Sequence, residues 1–135
     1  MPADPPVPAG FVPYTDAGAF LDHVGPLHVR EEDGTLGARV RAEHLNAAGT
    51  AMGGFLATVV DAALGHAIRR AADGEPKVAT VSLTTDFLRP GPEGAWIEAR
   101  TAVEQVGGEL AFADCSLHAA GDEIVRARAV FAVRS

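Results

Sequence analysis

One acidic side chain, Asp61, lies in the middle of a long segment that otherwise carries no formal charge. From residue 47 to residue 68 every other side chain is apolar, small, or polar and neutral. Burying an unpaired carboxylate is costly, so a carboxylate in such a segment gains partners or its pKa rises. Perturbed acids often mark catalytic sites, although Asp61 would also fit a narrow exposed stripe or a hydrogen bond to a backbone amide. Asp61 is therefore the first candidate for acid–base chemistry.

A pair of glycines, Gly53 and Gly54, opens the same segment. The first N–H groups of a helix have no partner within it, so a glycine-led helix start can present donors to a carbonyl, an oxyanion or a phosphate. A loop that uses glycine for tight geometry is the simpler interpretation. No Lys-Ser or Lys-Thr follows the pair, as a Walker-type loop requires. No alternation of parallel strands and helices accompanies it, as a dinucleotide-binding fingerprint requires.

The other reactive side chains indicate neither a metal site nor covalent catalysis. No pair of histidines has metal-ligand spacing in a suitable element, and the lone Cys115 excludes cysteine-based zinc sites. Cys115 alternates with apolar neighbours, as a small core residue does. No serine or cysteine lies in a nucleophile elbow. The five histidines are His23, His28, His44, His66 and His118.

The composition fits one acidic globular domain. Acidic residues number 18 against 11 basic ones, which gives a formal net charge of −7. A polyanion needs a lysine- and arginine-rich face, so we expect no nucleic acid as a partner. The first thirteen residues have neither the basic cluster nor the apolar run of a signal peptide, and no segment fits a membrane span. We therefore expect a cytoplasmic protein without a membrane partner.

The apolar pattern places Asp61 and the glycine pair on one long helix. Apolar residues between positions 55 and 68 cover most of a helical surface. Arg69-Arg70 close the segment, where cations suit the helix dipole. Because this helix is apolar almost all round, we expect a sheet to wrap it on several sides.

Strands account for most of the remaining sequence. Residues 27–45 fit two strands joined by a tight turn, and four runs of alternating residues follow the long helix. Since short turns such as Gly107-Gly108 join these runs, we expect an antiparallel meander. The four runs lie at residues 77–88, 96–106, 110–119 and 124–133, and in the first of them Val81, Leu83 and Phe87 alternate with Thr80, Ser82 and Asp86.

The beginning of the chain differs in composition from the rest. Five of the nine prolines lie in the first thirteen residues. We interpret residues 1–13 as an extended proline-rich tail and residues 14–135 as a single domain. The domain starts with a short helix that Thr15 or Asp16 would cap and Gly25-Pro26 would end.

The spacing around the glycine pair resembles the signature of hotdog-fold acyl-CoA thioesterases, and most closely their PaaI-like branch. The motif is His44-x-Asn46-x-x-Gly49-x-x-x-Gly53-Gly54, with Asp61 seven residues after Gly54. Residues 80–90 resemble the strand that follows the helix in that family. The resemblance covers roughly residues 19–133, including the first helix and the final hairpin.

The resemblance implies an α+β hotdog fold, in which a curved antiparallel sheet of about five to six strands wraps a long central helix. It also implies homodimers with a continuous sheet, often paired into homotetramers. The active sites would lie at the dimer interface, where the aspartate of one subunit faces the glycine-led helix start of the other. Asp61 would then stay ionised although buried.

The implied reaction is hydrolysis of an acyl-CoA thioester by water, without a metal or another cofactor. The Gly53 N–H would stabilise the developing oxyanion. Asp61 would act as a general base on water or attack the thioester directly, and the sequence leaves both routes open. The role implied for Asn46 is to orient the water or the carbonyl, and Thr80 occupies the position of a water-orienting hydroxyl.

Substrate contacts are expected from Met52, Gly54 and Arg89. Arg89, or the Arg69-Arg70 pair, would supply cations for the phosphates of CoA. Met52 departs from the family pattern, which commonly has histidine before the glycine pair. The loss of that side chain would weaken turnover or alter the acyl preference.

Two other functions on the same fold stay open. One is a non-catalytic protein that binds acyl-CoA or another small ligand, which the departure at Met52 favours. The other is a hotdog hydratase or dehydratase, in which a histidine on the same helix works with the acid. His66 lies five residues after Asp61, a spacing that fits one helical face poorly.

Overall fold

Two helices and seven strands make up the part of the chain that the computed structural model describes, residues 5–106 and 108–134. Residues 1–4 of the predicted tail and Gly107 of the predicted turn lie outside it. The elements are β1 (Phe11–Pro13), α1 (Ala19–Val24), β2 (Leu27–Arg30), β3 (Thr35–Arg39), a 3₁₀ turn (Ala42–His44), α2 (Gly53–Ala71), β4 (Lys77–Phe87), β5 (Trp96–Val106), β6 (Leu110–Ala119) and β7 (Asp122–Arg134).

The strands form one curved antiparallel sheet that does not close on itself. Their order across the sheet is β1-β2-β3-β5-β6-β7-β4, and α2 packs against it. The expected α+β hotdog fold is confirmed. The sheet has one strand more than the sequence analysis predicts, because Phe11–Pro13, at the end of the proline-rich segment, pairs with β2.

One face of α2 supplies the centre of the core. Its buried side chains recur at spacings of three and four residues and include Phe55, Leu56, Val59, Val60, Ala63, Leu64 and Ile68. The opposite face, with Ala57, Thr58, Asp61 and Ala62, is only half-buried. The curved sheet wraps the helix as predicted, with contacts from β3, β4, β5, β6 and β7, and it leaves this one face of α2 without full cover in the single chain.

The sheet meets α2 with small side chains. Buried alanines on β5, β6 and β7 leave room for the larger leucine and valine side chains of the helix. Cys115 packs among them, as predicted, and burial raises the pKa of its thiol to about 12. The thiol is therefore protonated at neutral pH and a poor nucleophile.

β4 lies at the far edge of the sheet beside β7, so the predicted meander is wrong for this strand. β5, β6 and β7 do follow one another across the sheet, but β4 pairs with β7 along its length. Residues 88–95 carry the chain from this edge to β5, past two intervening strands. Turn residues mark where a strand ends and carry no information about which strand it pairs with.

α1 is a short helix without a buried side chain. Gly18, with a φ of 107°, precedes it and no side chain caps it, so the predicted cap by Thr15 or Asp16 is wrong. Gly25 ends the helix as predicted, and its N–H donates to the Leu21 carbonyl at 2.8 Å. Within residues 5–106 and 108–134, neither α1 nor α2 has the length and hydropathy that crossing a bilayer requires.

Candidate active site

Asp61 lies on the half-buried face of α2 and accepts a hydrogen bond from Thr80. The Thr80 hydroxyl on β4 is 2.5 Å from Asp61 Oδ1. A hydrogen bond this short to a carboxylate is strong and holds the acid in one orientation. The second oxygen, Oδ2, accepts no hydrogen bond from the described residues, so it remains available to water or to a substrate.

A β-bulge at Val81 gives β4 the register that makes this contact. Relative to β7, β4 has one extra residue between Thr80 and Ser82. The extra residue reverses the alternation of the strand, so Thr80 before the bulge and Phe87 beyond it both face α2. The alternation predicted from sequence puts them on opposite faces, which is wrong, and Val81 is 61% exposed.

α2 begins at Gly53, as predicted, and leaves its first backbone donors unused. Met52 occupies the cap position, and no side chain caps the helix. Within the described residues, the N–H groups of Gly53, Gly54 and Phe55 donate no hydrogen bond, and the Leu56 N–H donates to the Met52 carbonyl at 3.1 Å. Three free N–H groups at the positive end of a helix dipole suit a carbonyl oxygen or an oxyanion.

The two glycines at this helix start differ in their surroundings. The ring of Phe87 lies 3.4 Å from the position that a Cβ would take at Gly53, whereas nothing lies within 4 Å of that position at Gly54. An aromatic ring therefore borders the free N–H groups on the side of β4. Among the described residues, no such side chain borders the helix start beside Gly54.

Asn46 holds the loop that leads into α2. Its Oδ1 accepts hydrogen bonds from the N–H groups of Ala48, at 2.9 Å, and Thr50, at 3.2 Å. Its Nδ2 donates to the Thr50 hydroxyl at 3.2 Å, and the Gly49 N–H donates to its main-chain carbonyl at 3.0 Å. The side chain therefore has a local task in shaping the loop. That Asn46 orients water or a substrate carbonyl stays a prediction.

His44 is a buried residue to which the sequence analysis assigns no role of its own. Its ring stacks on that of Phe55, with centroids 3.8 Å apart. Nδ1 accepts the Arg41 N–H at 3.0 Å, so the proton lies on Nε2, which donates to the Val24 carbonyl at 2.6 Å. His44 thereby ties the end of α1 to the first turn of α2. Its position two residues before Asn46 is the sequence signal that could have identified it.

Two grooves flank the first turn of α2. The β4 groove, of about 370 Å³, is lined by Asn46, Gly53 and Arg89, with Leu56 and Phe87 among its apolar residues. The α1 groove, of about 480 Å³, is lined by Met52 and Gly54 together with Phe20, Val24, Phe55 and Thr58. The predicted substrate contacts thus divide between two cavities that share the helix start as a wall.

Arg89 supplies the cation of the β4 groove. Its Nη1 donates to the Glu123 carbonyl at 2.7 Å, and its side chain is exposed. Arg69, another predicted source of positive charge, donates to the Tyr14 hydroxyl at 3.0 Å. That hydroxyl lies 3.3 Å from His66 Nδ1, and burial, with Arg69 and Arg70 nearby, lowers the pKa of His66.

The two candidate catalytic groups on α2 are far apart within one chain. Gly53 and Asp61 are separated by eight residues, which is about 12 Å along a helix axis. We call Asp61 with Thr80 the acid half and the free N–H groups at Gly53 and Gly54 the donor half. Reacting groups must approach within about 3–3.5 Å of the same carbonyl, so the two halves of one chain do not act on one thioester.

The remaining polar features of the described residues do not contribute to either half. No group of three or more histidine, cysteine, aspartate or glutamate side chains that could hold a metal ion occurs among residues 5–106 and 108–134. A groove of about 500 Å³ on the outer face of the sheet has Asp114, Arg126 and Arg128 among its lining residues. It contains none of the predicted site residues, and Arg128 donates to Asp114 there at 2.8 Å.

A family model and a related protein both indicate an esterase or thioesterase family. The family model described as the thioesterase superfamily matches residues 48–125, a range that contains Gly53, Asp61 and Thr80. The Pseudomonas aeruginosa protein named Putative esterase PA0474 is 34% identical over 128 residues, which cover 93% of this chain and 96% of that protein.

Solved structures show the same fold. A mutant of the phenylacetic acid degradation protein PaaI from Thermus thermophilus is 25% identical, with a TM-score of 0.74 over 87% of this chain and 100% of that one. The BH2602 protein from Bacillus halodurans, solved with CoA, has a TM-score of 0.77 over 86% of this chain and 76% of that one. At 16% identity the second similarity bears on the fold alone.

Proposed function

The chain belongs to the thioesterase superfamily, and on that basis we propose that it hydrolyses the thioester bond of acyl-CoA or aryl-acyl-CoA with water. The observation that carries the proposal is that α2 combines a carboxylate held by Thr80 with free backbone donors at its start.

The donor half binds the thioester carbonyl. As the carbonyl carbon becomes tetrahedral, negative charge develops on its oxygen, and the free N–H groups at Gly53 and Gly54 stabilise that charge. The donors belong to the backbone of a helix, so they need no reorganisation during the reaction. Met52 stands where the family commonly has histidine, and this difference in side chain does not remove the backbone donors.

The acid half activates the nucleophile. Thr80 holds Oδ1 of Asp61, and Oδ2 remains free to accept a proton from water or to attack the carbonyl carbon. In the first route the water oxygen bonds to the acyl carbon, the carbon–sulfur bond breaks, and the thiol leaves with a proton. In the second route Asp61 Oδ2 bonds to the acyl carbon, the carbon–sulfur bond breaks, and the thiolate leaves and takes a proton from water; water then cleaves the anhydride to the free acid and Asp61. Single turnover in ¹⁸O-labelled water identifies the second route when water attacks the aspartyl carbonyl of the anhydride, since that cleavage leaves label in Asp61 and the first route labels only the released acid.

Two copies of the chain are needed to complete one site. The outer edge of β4 has no strand partner among the described residues, and an unpaired edge is a template for another strand. Antiparallel pairing of two β4 edges about a two-fold axis sets the Thr80 end of one copy beside the Phe87 end of the other. The acid half of one subunit would thereby meet the donor half of its partner.

The experiment that tests the function is thiol release from a panel of acetyl-, hexanoyl-, octanoyl- and phenylacetyl-CoA. We expect Asp61→Asn to lower kcat by about 100-fold or more, as the loss of an acid–base group does. Asp73→Asn, an exposed position in the loop after α2, is the matched control. Equal rates for wild type and Asp61→Asn would remove Asp61 from the mechanism.

The donor half is tested in the same assay by Gly53→Pro against Gly53→Ala. Proline is accepted at the first position of a helix, and the ψ of 136° at Met52 suits a residue before proline. The proline variant thus removes one N–H and retains the helix, with an expected loss of about 10²–10³ in kcat. The alanine variant retains the N–H, so a similar loss in both would show that the donor is not used.

The assay also separates the other candidate functions. Saturable binding of acyl-CoA without release of thiol would favour the non-catalytic binding protein. A hydratase would need a histidine beside the acid. The hydrogen bond of His66 within the described residues goes to Tyr14, so we do not place His66 beside Asp61.

A further inference from the structure

The α1 groove combines exposed apolar side chains with polar groups that are already hydrogen-bonded. Phe20 is 64% exposed and Met52 is 54% exposed, although both are large apolar residues beside a cavity. Both ring nitrogens of His44 have partners, and the Thr58 hydroxyl donates to the Gly54 carbonyl at 2.8 Å. Apart from the exposed imidazole of His23 and the carboxylate of Glu43, which pairs with Arg41, the groove therefore presents apolar surface to an occupant.

The position of the groove relates it to the proposed reaction. Met52 and Gly54 line it, and Gly54 carries one of the free N–H groups at the start of α2. A thioester whose oxygen meets these donors has two substituents, the acyl chain and the sulfur-linked CoA. The α1 groove and the β4 groove both adjoin the first turn of α2. Of these two, only the β4 groove has an arginine, Arg89, among its described lining residues.

We propose that the α1 groove binds the acyl chain, and that Phe20 and Met52 select uncharged, extended acyl groups. This inference rests on the proposed thioesterase function and assigns CoA to the β4 groove. A volume of about 480 Å³ is within the range of small-molecule sites. Each methylene that enters such a groove loses contact with water, and this raises kcat/KM by about threefold to fourfold.

The same lining discriminates against acyl groups that end in a carboxylate. None of the described residues that line the α1 groove is a lysine or an arginine, the imidazole of His23 is exposed, and Glu43 at the rim is ion-paired with Arg41 at 2.8 Å. A distal carboxylate would lose its hydration without gaining a lysine or an arginine as a countercharge. Adipoyl-CoA should therefore be a poorer substrate than hexanoyl-CoA, which has the same chain length.

The test compares kcat/KM for acetyl-, butyryl-, hexanoyl-, octanoyl- and adipoyl-CoA in the wild type, Phe20→Ala, Met52→Ala and Phe112→Ala. Wild type should favour octanoyl over acetyl, and either groove variant should lower that ratio by about tenfold, the value of one large apolar contact. Phe112, an exposed phenylalanine on the outer face of the sheet, is the matched control and should leave the ratio unchanged.

A second measurement keeps the inference testable without turnover. In Asp61→Asn protein, octanoyl-CoA should bind at least tenfold more tightly than CoA by calorimetry, and Phe20→Ala should remove most of that difference. Equal affinities, or an octanoyl-to-acetyl ratio that neither groove variant changes, would overturn the assignment of the groove. Absence of thiol release from every substrate would instead overturn the proposed function. The calorimetry would still test whether the α1 groove binds the acyl chain.

Discussion

Thr80 is the residue whose role the structure clarifies most. Its similarity to a water-orienting hydroxyl predicts a contact with water, whereas its hydroxyl donates directly to Asp61 Oδ1 at 2.5 Å. A donor in that position restricts the rotation of the Asp61 carboxylate about χ1 and χ2. We therefore propose that Thr80 is a positioning residue for Asp61.

This role predicts a specific pair of variants at position 80. Thr80→Val retains the shape of the side chain and removes the donor, and we expect kcat to fall by about 10-fold to 100-fold, the value of a hydrogen bond to a charged group. Thr80→Ser retains the hydroxyl and should restore most of the rate. Steady-state kinetics with hexanoyl-CoA checks both. Equal kcat in Thr80→Val and wild type would show that the contact does not assist turnover.

Residue types selected part of the candidate site, and the remaining contacts could not be obtained from spacing alone. A lone carboxylate in an uncharged segment and a glycine pair at its start were sufficient to select Asp61 and Gly53. The contact between Asp61 and Thr80 depends on how a strand lies against a helix 19 residues earlier in sequence. For that contact the family resemblance indicated the position of Thr80, and the structure shows that its hydroxyl donates to Asp61 Oδ1.

At the scale of elements, the loop before α2 decides where the donor half points. Asn46 Oδ1 accepts two backbone N–H groups in this loop, at Ala48 and Thr50. Without these bonds the loop would be free to change conformation, and the first turn of α2 would lose its fixed direction. The loop is therefore part of the site even where it touches no substrate.

Two variants of Asn46 distinguish a role in holding the loop from a role in contacting the substrate. Asn46→Ala removes both acceptor bonds and should lower the free energy of unfolding by about 1–3 kcal/mol in urea titrations. Asn46→Asp retains an acceptor oxygen and should retain most of the stability. If Asn46→Asp is stable but inactive, the amide also contacts the substrate. If Asn46→Ala is as stable as wild type, the side chain does not hold the loop.

The bounds of α2 were predictable, and the path of β4 was not. Gly53-Gly54 and Arg69-Arg70 mark the two ends of the helix through local effects that sequence reveals directly. The bulge at Val81 leaves no comparable signal, since valine favours any strand. One extra residue there reverses the direction of each side chain beyond it, including that of Phe87.

The order of the strands is likewise a property of long-range packing. β4 and β5 are consecutive in sequence, yet β6 and β7 lie between them in the sheet. The sequence favours pairing of consecutive strands because short connections usually join neighbours. The pairing of β4 with β7 along its length places β4 at the edge.

At the scale of the whole molecule, the single chain leaves two surfaces uncovered that one partner copy could cover. One face of α2 is half-buried around Asp61, and the outer edge of β4 has no strand partner in the described part of the chain. A second copy that pairs at β4 would cover both. The acid half and the donor half of one chain are about 12 Å apart, and a two-fold arrangement would bring the acid half of one copy to the donor half of the other.

The most direct test of this account is activity in mixed assemblies of Asp61→Asn and Gly53→Pro chains. If each site takes its acid from one subunit and its donor from the other, a mixed dimer has one intact site. Random 1:1 co-expression should then yield about a quarter of the wild-type kcat/KM per chain, although each variant alone is nearly inactive. Two affinity tags purified in series confirm that mixed dimers are present. A mixed preparation no more active than either variant would contradict the shared site.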